Sequence, residues 1–260
     1  MSVSEGVPEY TPPAPTTGQV VRSLLFTVWL YGLIAVVGIG GLPLLLGPQR
    51  WVFAMTRLWA RLVVWGLEVI AGVRMEVRGL EHRPTGPCLI GAKHQGMFDT
   101  IAPLLFLENP CFVLKQELMR IPVYGWFAAK AGHIAIDRAA HAKALRGLVH
   151  AARDRLGEGR PIIIYPEGTR RAPDDPPAYK PGVAALYRDL DVGCTPMATN
   201  SGVCWPAHGF LRRPGVIVFE FLPPIPPGLK RATFMAMLED AVEDASTRLV
   251  AEARGVAARP

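Results

Sequence analysis

Pro161-Ile162-Ile163-Ile164-Tyr165-Pro166-Glu167-Gly168-Thr169-Arg170-Arg171 holds a buried strand and a polar turn in one short stretch. Three consecutive isoleucines with no polar alternation read as a strand covered on both faces. Pro166 and Gly168 then end it. Gly168 lets backbone amides approach a ligand, and Arg170 and Arg171 offer charge to a phosphate. Taken alone, the turn is equally a strand-to-loop junction with solvated charges.

Short β-type runs lie on either side, at Met75–Val77, Cys88–Gly91, Cys111–Leu114, Ile134–Ile136, Thr195–Ala198 and Val216–Leu222. Helical patterns separate them near Met97–Phe106, Leu118–Lys130, Ala139–Leu156 and Pro181–Leu190, and a last one runs from Ala232 to Ala253. Strands alternating with helices predict an α/β fold over residues 74–260, a mostly parallel sheet flanked by helices. His94, Lys115, Arg138 and Glu167 each follow a strand, and in such sheets ligands bind beyond the strand carboxyl ends.

His94-Gln95-Gly96-Met97-Phe98-Asp99 sets an imidazole five residues before a carboxylate. On one continuous helix the two would stand about 140° apart and not meet. They meet if His94 lies in the turn and Asp99 in the first helical turn. Asp99 then orients the ring and leaves its other nitrogen free as a base. A surface His beside an Asp at a helix N-terminus would read the same. Ile136-Asp137-Arg138 is, in isolation, a strand end with a surface ion pair.

Several chemistries are absent. None of Ser2, Ser4, Ser23, Ser201 and Ser246 sits in a G-x-S-x-G elbow. H-E-x-x-H, the P-loop and paired-carboxylate metal sites are missing, so no metal is expected. Cys88, Cys111, Cys194 and Cys204 show no C-x-x-C spacing and read as reduced and mostly buried. A base without a covalent nucleophile suggests direct transfer to an acceptor hydroxyl. The net charge of +6 on a chain that is 50% hydrophobic suits an anionic surface or substrate. No dense Lys/Arg run points to nucleic acid.

Residues 1–19, with Pro8, Pro12, Pro13 and Pro15, are too poor in apolar surface to order themselves. Leu24–Leu46 is uncharged and would reach about 34 Å as a helix. Gly38, Gly40, Gly41 and Pro43 are expected to break it, which leaves Leu24–Ile39 at about 24 Å. In the next helix, Arg50, Arg57, Arg61 and Glu68 fall within about 40° of arc, with Trp51, Trp59 and Trp65 on the apolar remainder. A buried core helix with one solvated edge would share that pattern. Residues 20–73 read best as a helical hairpin embedded in one leaflet, turning at Gly47-Pro48.

Together the motifs resemble the lysophosphatidic acid (1-acylglycerol-3-phosphate) acyltransferase family, the H-x4-D glycerolipid acyltransferases. The signature is His94 to Asp99. The second block is Gly132-His133-Ile134-Ala135-Ile136-Asp137-Arg138, the third Tyr165 to Arg170, and the fourth Thr195-Pro196-Met197 leading to Gly202. Lys115-Gln116-Glu117-Leu118 with Pro122 and Gly125 matches a segment between the first two. Lys93 stands where many members have Asn, Gly96 where they usually have Ser, and Ala135 replaces a common Phe. The resemblance implies acyl transfer from acyl-CoA or acyl carrier protein, used as co-substrate without a further cofactor, to the sn-2 hydroxyl of 1-acylglycerol-3-phosphate. It implies His94 and Asp99 as catalytic residues, with Lys115, Arg138, Glu167, Gly168, Thr169 and Arg170 binding the acceptor. Arg171 and Lys180 could instead meet the donor's phosphates. The partners would be a membrane lipid and a membrane leaflet, and the location the inner (cytoplasmic) membrane with the catalytic domain on the cytosolic side. Lyso-ornithine lipid is an alternative acceptor, and a non-catalytic lipid-binding protein is the alternative of another class.

Overall fold

The computed structural model describes residues 12–137 and 141–255, with backbone only at 141–144. The strands are β1 Val73–Arg78, β2 Leu89–Ala92, β3 Cys111–Lys115, β4 Ile134–Ile136, β5 Ile162–Ile164, β6 Cys194–Thr199 and β7 Gly215–Phe221. They form one sheet in the order β1-β7-β6-β2-β5-β3-β4. Every neighbouring pair is parallel except β6 with β7. The mostly parallel α/β architecture is therefore as expected, with an edge pair reversed.

The isoleucine run explains itself in this setting. Ile163 packs into the core on one face of the sheet, and Ile162 and Ile164 into the core on the other. A strand buried on both faces has no polar side, hence no alternation. One face carries α1 Thr17–Gly40, α2 Gln49–Gly66 and the short α3 Pro103–Phe106; α4 Tyr124–Lys130 packs against α2. The other carries α5 His141–Gly157 and α6 Gly182–Leu190; the short α7 Ser201–Cys204 follows β6, and α8 Arg231–Arg254 closes that second face.

Thr16 caps α1, its side chain accepting from the Gln19 backbone N–H. The helix runs through Gly38 and ends at Gly40, so Gly38 does not break it. At about 36 Å, α1 is long and apolar enough to cross a membrane by length and composition. The reversal is broader than Gly47-Pro48, because a 3-10 turn at Leu42–Leu46 separates the two helices. Both helices also join the sheet's core. Phe26 and Leu30 of α1 and Ala60 and Val63 of α2 pack with Ile90, Phe98 and Ile217. Phe26 meets Trp205 edge-on at 5.3 Å between ring centroids. Hydrophobic contact thus runs continuously across residue 73, and the outward side of α1 stays exposed and apolar.

Candidate functional site

Strands β5, β2 and β6 are neighbours and parallel, so their carboxyl ends open on one edge. This is how blocks far apart in sequence meet. The turn after β2 carries His94, and Asp99 lies in the 3-10 turn Met97–Thr100 that follows. His94 Nδ1 lies 3.0 Å from Asp99 Oδ2. The same oxygen accepts the backbone N–H groups of Gln95 at 2.6 Å and Gly96 at 2.8 Å. Asp99 is fully buried. A carboxylate held by two backbone donors cannot swing, so it fixes the ring with Nδ1 as donor. Nε2 is then the proton acceptor, and His94 lines the cavity.

Tyr165 completes the holder. Its ring stacks on His94 at 4.1 Å and its hydroxyl donates to the Asp99 backbone carbonyl at 2.6 Å. Burial pushes its phenol well above the ordinary tyrosine range, so it stays a donor. The turn is clamped from both sides. Arg171 N–H donates to the His94 carbonyl at 2.9 Å, and Gly202 N–H to Gln95 Oε1 at 2.9 Å. Gly96 accounts for its own departure from the family's Ser. A Cβ there would lie 2.6 Å from the Trp205 carbonyl oxygen, where no side chain fits.

Glu167 takes a different place from the one expected. It is only 2% exposed and is not part of the cavity wall. Lys93 Nζ donates to Glu167 at 3.1 Å and to both oxygens of Glu243 on α8 at 2.8 Å. Tyr179 also donates to Glu243, at 3.0 Å. Burial raises the Glu167 carboxyl, and the Lys93 ammonium opposes that rise. Lys93 thus ties the turns after β2 and β5 to the last helix. Sequence reasoning noted Lys93 as a departure but missed its partners, since Glu243 is one more acidic residue on an amphipathic helix. It also missed the hydroxyl of Tyr165 and the amide of Gln95, which lie inside the motifs.

His94, Lys115, Gly168, Thr169, Arg170 and Lys180 line one cavity of about 1570 Å³. That exceeds the roughly 300–1,000 Å³ of common small-molecule pockets. Lys115 and Arg170 are exposed at its mouth, so their charges are hydrated until a ligand arrives. The remaining wall is mostly apolar and includes Ile34 and Gly38 of α1, Phe53 and Trp59 of α2, and Phe112 and Leu148. The arrangement joins a base, cations and a long apolar space. Arg138 lies outside the described residues. Among the described residues no group of three or more His, Cys, Asp and Glu gathers to hold a metal.

A model of the Acyltransferase family matches residues 74–200, which holds all four motif blocks but for the final Gly202. Over 205 residues the chain is 36% identical to a 1-acyl-sn-glycerol-3-phosphate acyltransferase of Pseudomonas aeruginosa, covering 78% of this chain and 79% of that protein. A plant protein of the same name from Limnanthes alba is 28% identical over 214 residues, 77% of this chain and 72% of its own. The crystal structure of the 1-acyl-sn-glycerophosphate acyltransferase PlsC of Thermotoga maritima superposes with a TM-score of 0.73 over 93% of this chain and 100% of that one. At 20% identity that likeness speaks for the fold. The chain belongs to the 1-acyl-sn-glycerol-3-phosphate acyltransferase family.

Proposed function

We propose that the chain transfers a fatty acyl group from a thioester to the sn-2 hydroxyl of 1-acylglycerol-3-phosphate, forming phosphatidic acid. The observation that carries this is the His94–Asp99 pair set in the wall of a cavity that is cationic at one part and apolar over the rest. His94 Nε2 takes the hydroxyl proton as the oxygen attacks the thioester carbonyl. Asp99 holds Nδ1–H and stabilises the imidazolium. The tetrahedral intermediate collapses, the C–S bond breaks, and the imidazolium returns its proton to the leaving thiolate. Lys115 and Arg170 neutralise the acceptor phosphate, with Gly168 and Thr169 shaping the turn; Arg138 joins them only by the family resemblance. Arg171 and Lys180 suit the phosphates of acyl-CoA or the phosphopantetheine of acyl carrier protein. No resident cofactor or metal enters these steps.

The acceptor is a membrane lipid, and the apolar α1 supports action at the inner membrane with its outward side in one leaflet. The reduced cysteines suit a cytosolic face, since all four are free and three are buried. The test is thiol release from acyl-CoA by the full chain in lipid, with and without 1-acylglycerol-3-phosphate. Acceptor-dependent release is expected. Release that ignores the acceptor would make the protein a thioesterase. Release only with lyso-ornithine lipid would move the acceptor to the alternative class.

A further inference from the structure

The segment Arg120–Trp126 runs from the end of the connection after β3 into the first turn of α4, and apart from Arg120 it carries no charge. In the fold it is an exposed apolar ridge. Ile121 is 47% exposed, Tyr124 48% and Trp126 53%. What lifts the ridge is a strained turn. Val123 has φ 65° and ψ −61°, and Tyr124 N–H donates to the Pro122 carbonyl at 2.7 Å across it. A β-branched residue rarely adopts such a γ-turn, so packing must hold it there. Val123 presses on α1 where Gly38 leaves room, since a Cβ at Gly38 would sit 3.0 Å from Val123 Cγ1. Phe127, one turn on, is buried with Val52 of α2 and Ala131.

The ridge is thus seated on the hairpin. Its exposed side chains extend the exposed apolar side of α1, which includes Ile34, Val36 and Ile39. Its one charge is Arg120, exposed, and the residues flanking it add exposed Lys115 and half-buried Lys130 against exposed Glu117. Aromatic and aliphatic side chains flanked by cations are the composition of a surface that enters the headgroup boundary. Ile121, Pro122, Val123 and Tyr124 also line the cavity that holds His94 and Arg170.

We propose that Arg120–Trp126 is a second membrane-contacting surface, which docks on an anionic leaflet beside α1 and sets the cavity mouth into it. A one-tailed acceptor then passes along the ridge to Arg170 with its chain never leaving the leaflet. The inference rests on the proposed action at a membrane.

The test uses the full chain with vesicles containing phosphatidylglycerol and a nitroxide at one of three exposed sites. Trp126→Cys reports the ridge, Val28→Cys the outward side of α1, and Met237→Cys the α8 face across the sheet. The unsubstituted chain supplies the labelling blank for the native cysteines. Collisions with oxygen exceeding those with a water-soluble nickel chelate at both Trp126→Cys and Val28→Cys, and the reverse at Met237→Cys, are the expected result. Immersion at Val28→Cys alone would overturn the second surface and leave the membrane reading standing. Immersion at neither would overturn both, and immersion at all three would remove any distinct surface. Trp126→Asp is expected to weaken vesicle binding about tenfold or more, since a half-exposed indole contributes on that scale. Unchanged binding would also overturn the inference.

Discussion

Two buried carboxylates stand at the ends of neighbouring strands, Asp99 after β2 and Glu167 after β5. Both belong to motif blocks, and both are almost wholly removed from water. Their neighbours give them different work. Asp99 meets two backbone donors and an imidazole that lines the cavity. Glu167 meets an ammonium that is itself bound to a second carboxylate, away from the cavity. The first arrangement holds a titratable base at the substrate's side. The second pins three elements together. The role of Asp99 follows from a partner five residues away, whereas that of Glu167 shows only in its contact with Lys93, 74 positions away.

The largest effect that would break the comparison is on rate. His94→Ala is expected to lower turnover by about 10²–10⁴-fold, the usual contribution of a general base. Its circular dichroism should match the parent's, since His94 is held by the turn rather than holding it. Lys93→Met is expected to act on stability instead. It removes the ammonium that bridges Glu167 and Glu243, and stranding a buried charge costs about 3–5 kcal/mol. A denaturant titration reads this as a lower midpoint, and adding Glu243→Gln should restore part of it. A midpoint equal to the parent's would show that the Lys93 cluster ties nothing.

Smaller effects sharpen the picture of the first turn. Gly96→Ser forces a side chain against the Trp205 carbonyl, an overpacking expected to cost about 1–3 kcal/mol. The same unfolding measurement checks it, and a neutral result would mean that the turn can yield. Tyr165→Phe removes one hydrogen bond to the Asp99 backbone while keeping the stacked ring. At about 0.5–1.5 kcal/mol for such a bond, turnover should fall about two- to tenfold if the whole of it orients the base.

How much could be read beforehand follows from range. Local patterns located the strands well. Ile162–Ile164 lies inside the expected run, and β3 begins at Cys111 as read. The i, i+5 pairing of His94 and Asp99 was legible because both partners sit in one turn. Strand order was not, because the β1-β7-β6-β2-β5-β3-β4 sequence depends on crossovers that leave no local mark. The Lys93–Glu243 contact spans 150 positions, and nothing in an amphipathic helix distinguishes one Glu from the next. The glycines were legible in part, since the helix ends at Gly40, one residue beyond the expected Ile39. Gly38 looked like a helix breaker, but its missing side chain makes room for Val123 within a continuous helix.

Asp99→Asn and Glu167→Gln measured side by side, for turnover and for unfolding midpoint, test the central claim most directly. Asp99→Asn should lower turnover by about 10²-fold or more with a small change in midpoint, as loss of an orienting carboxylate does. Glu167→Gln should move the midpoint more than the rate. Equal loss of turnover in both, or a greater loss in Glu167→Gln, would contradict the division of labour between the two carboxylates.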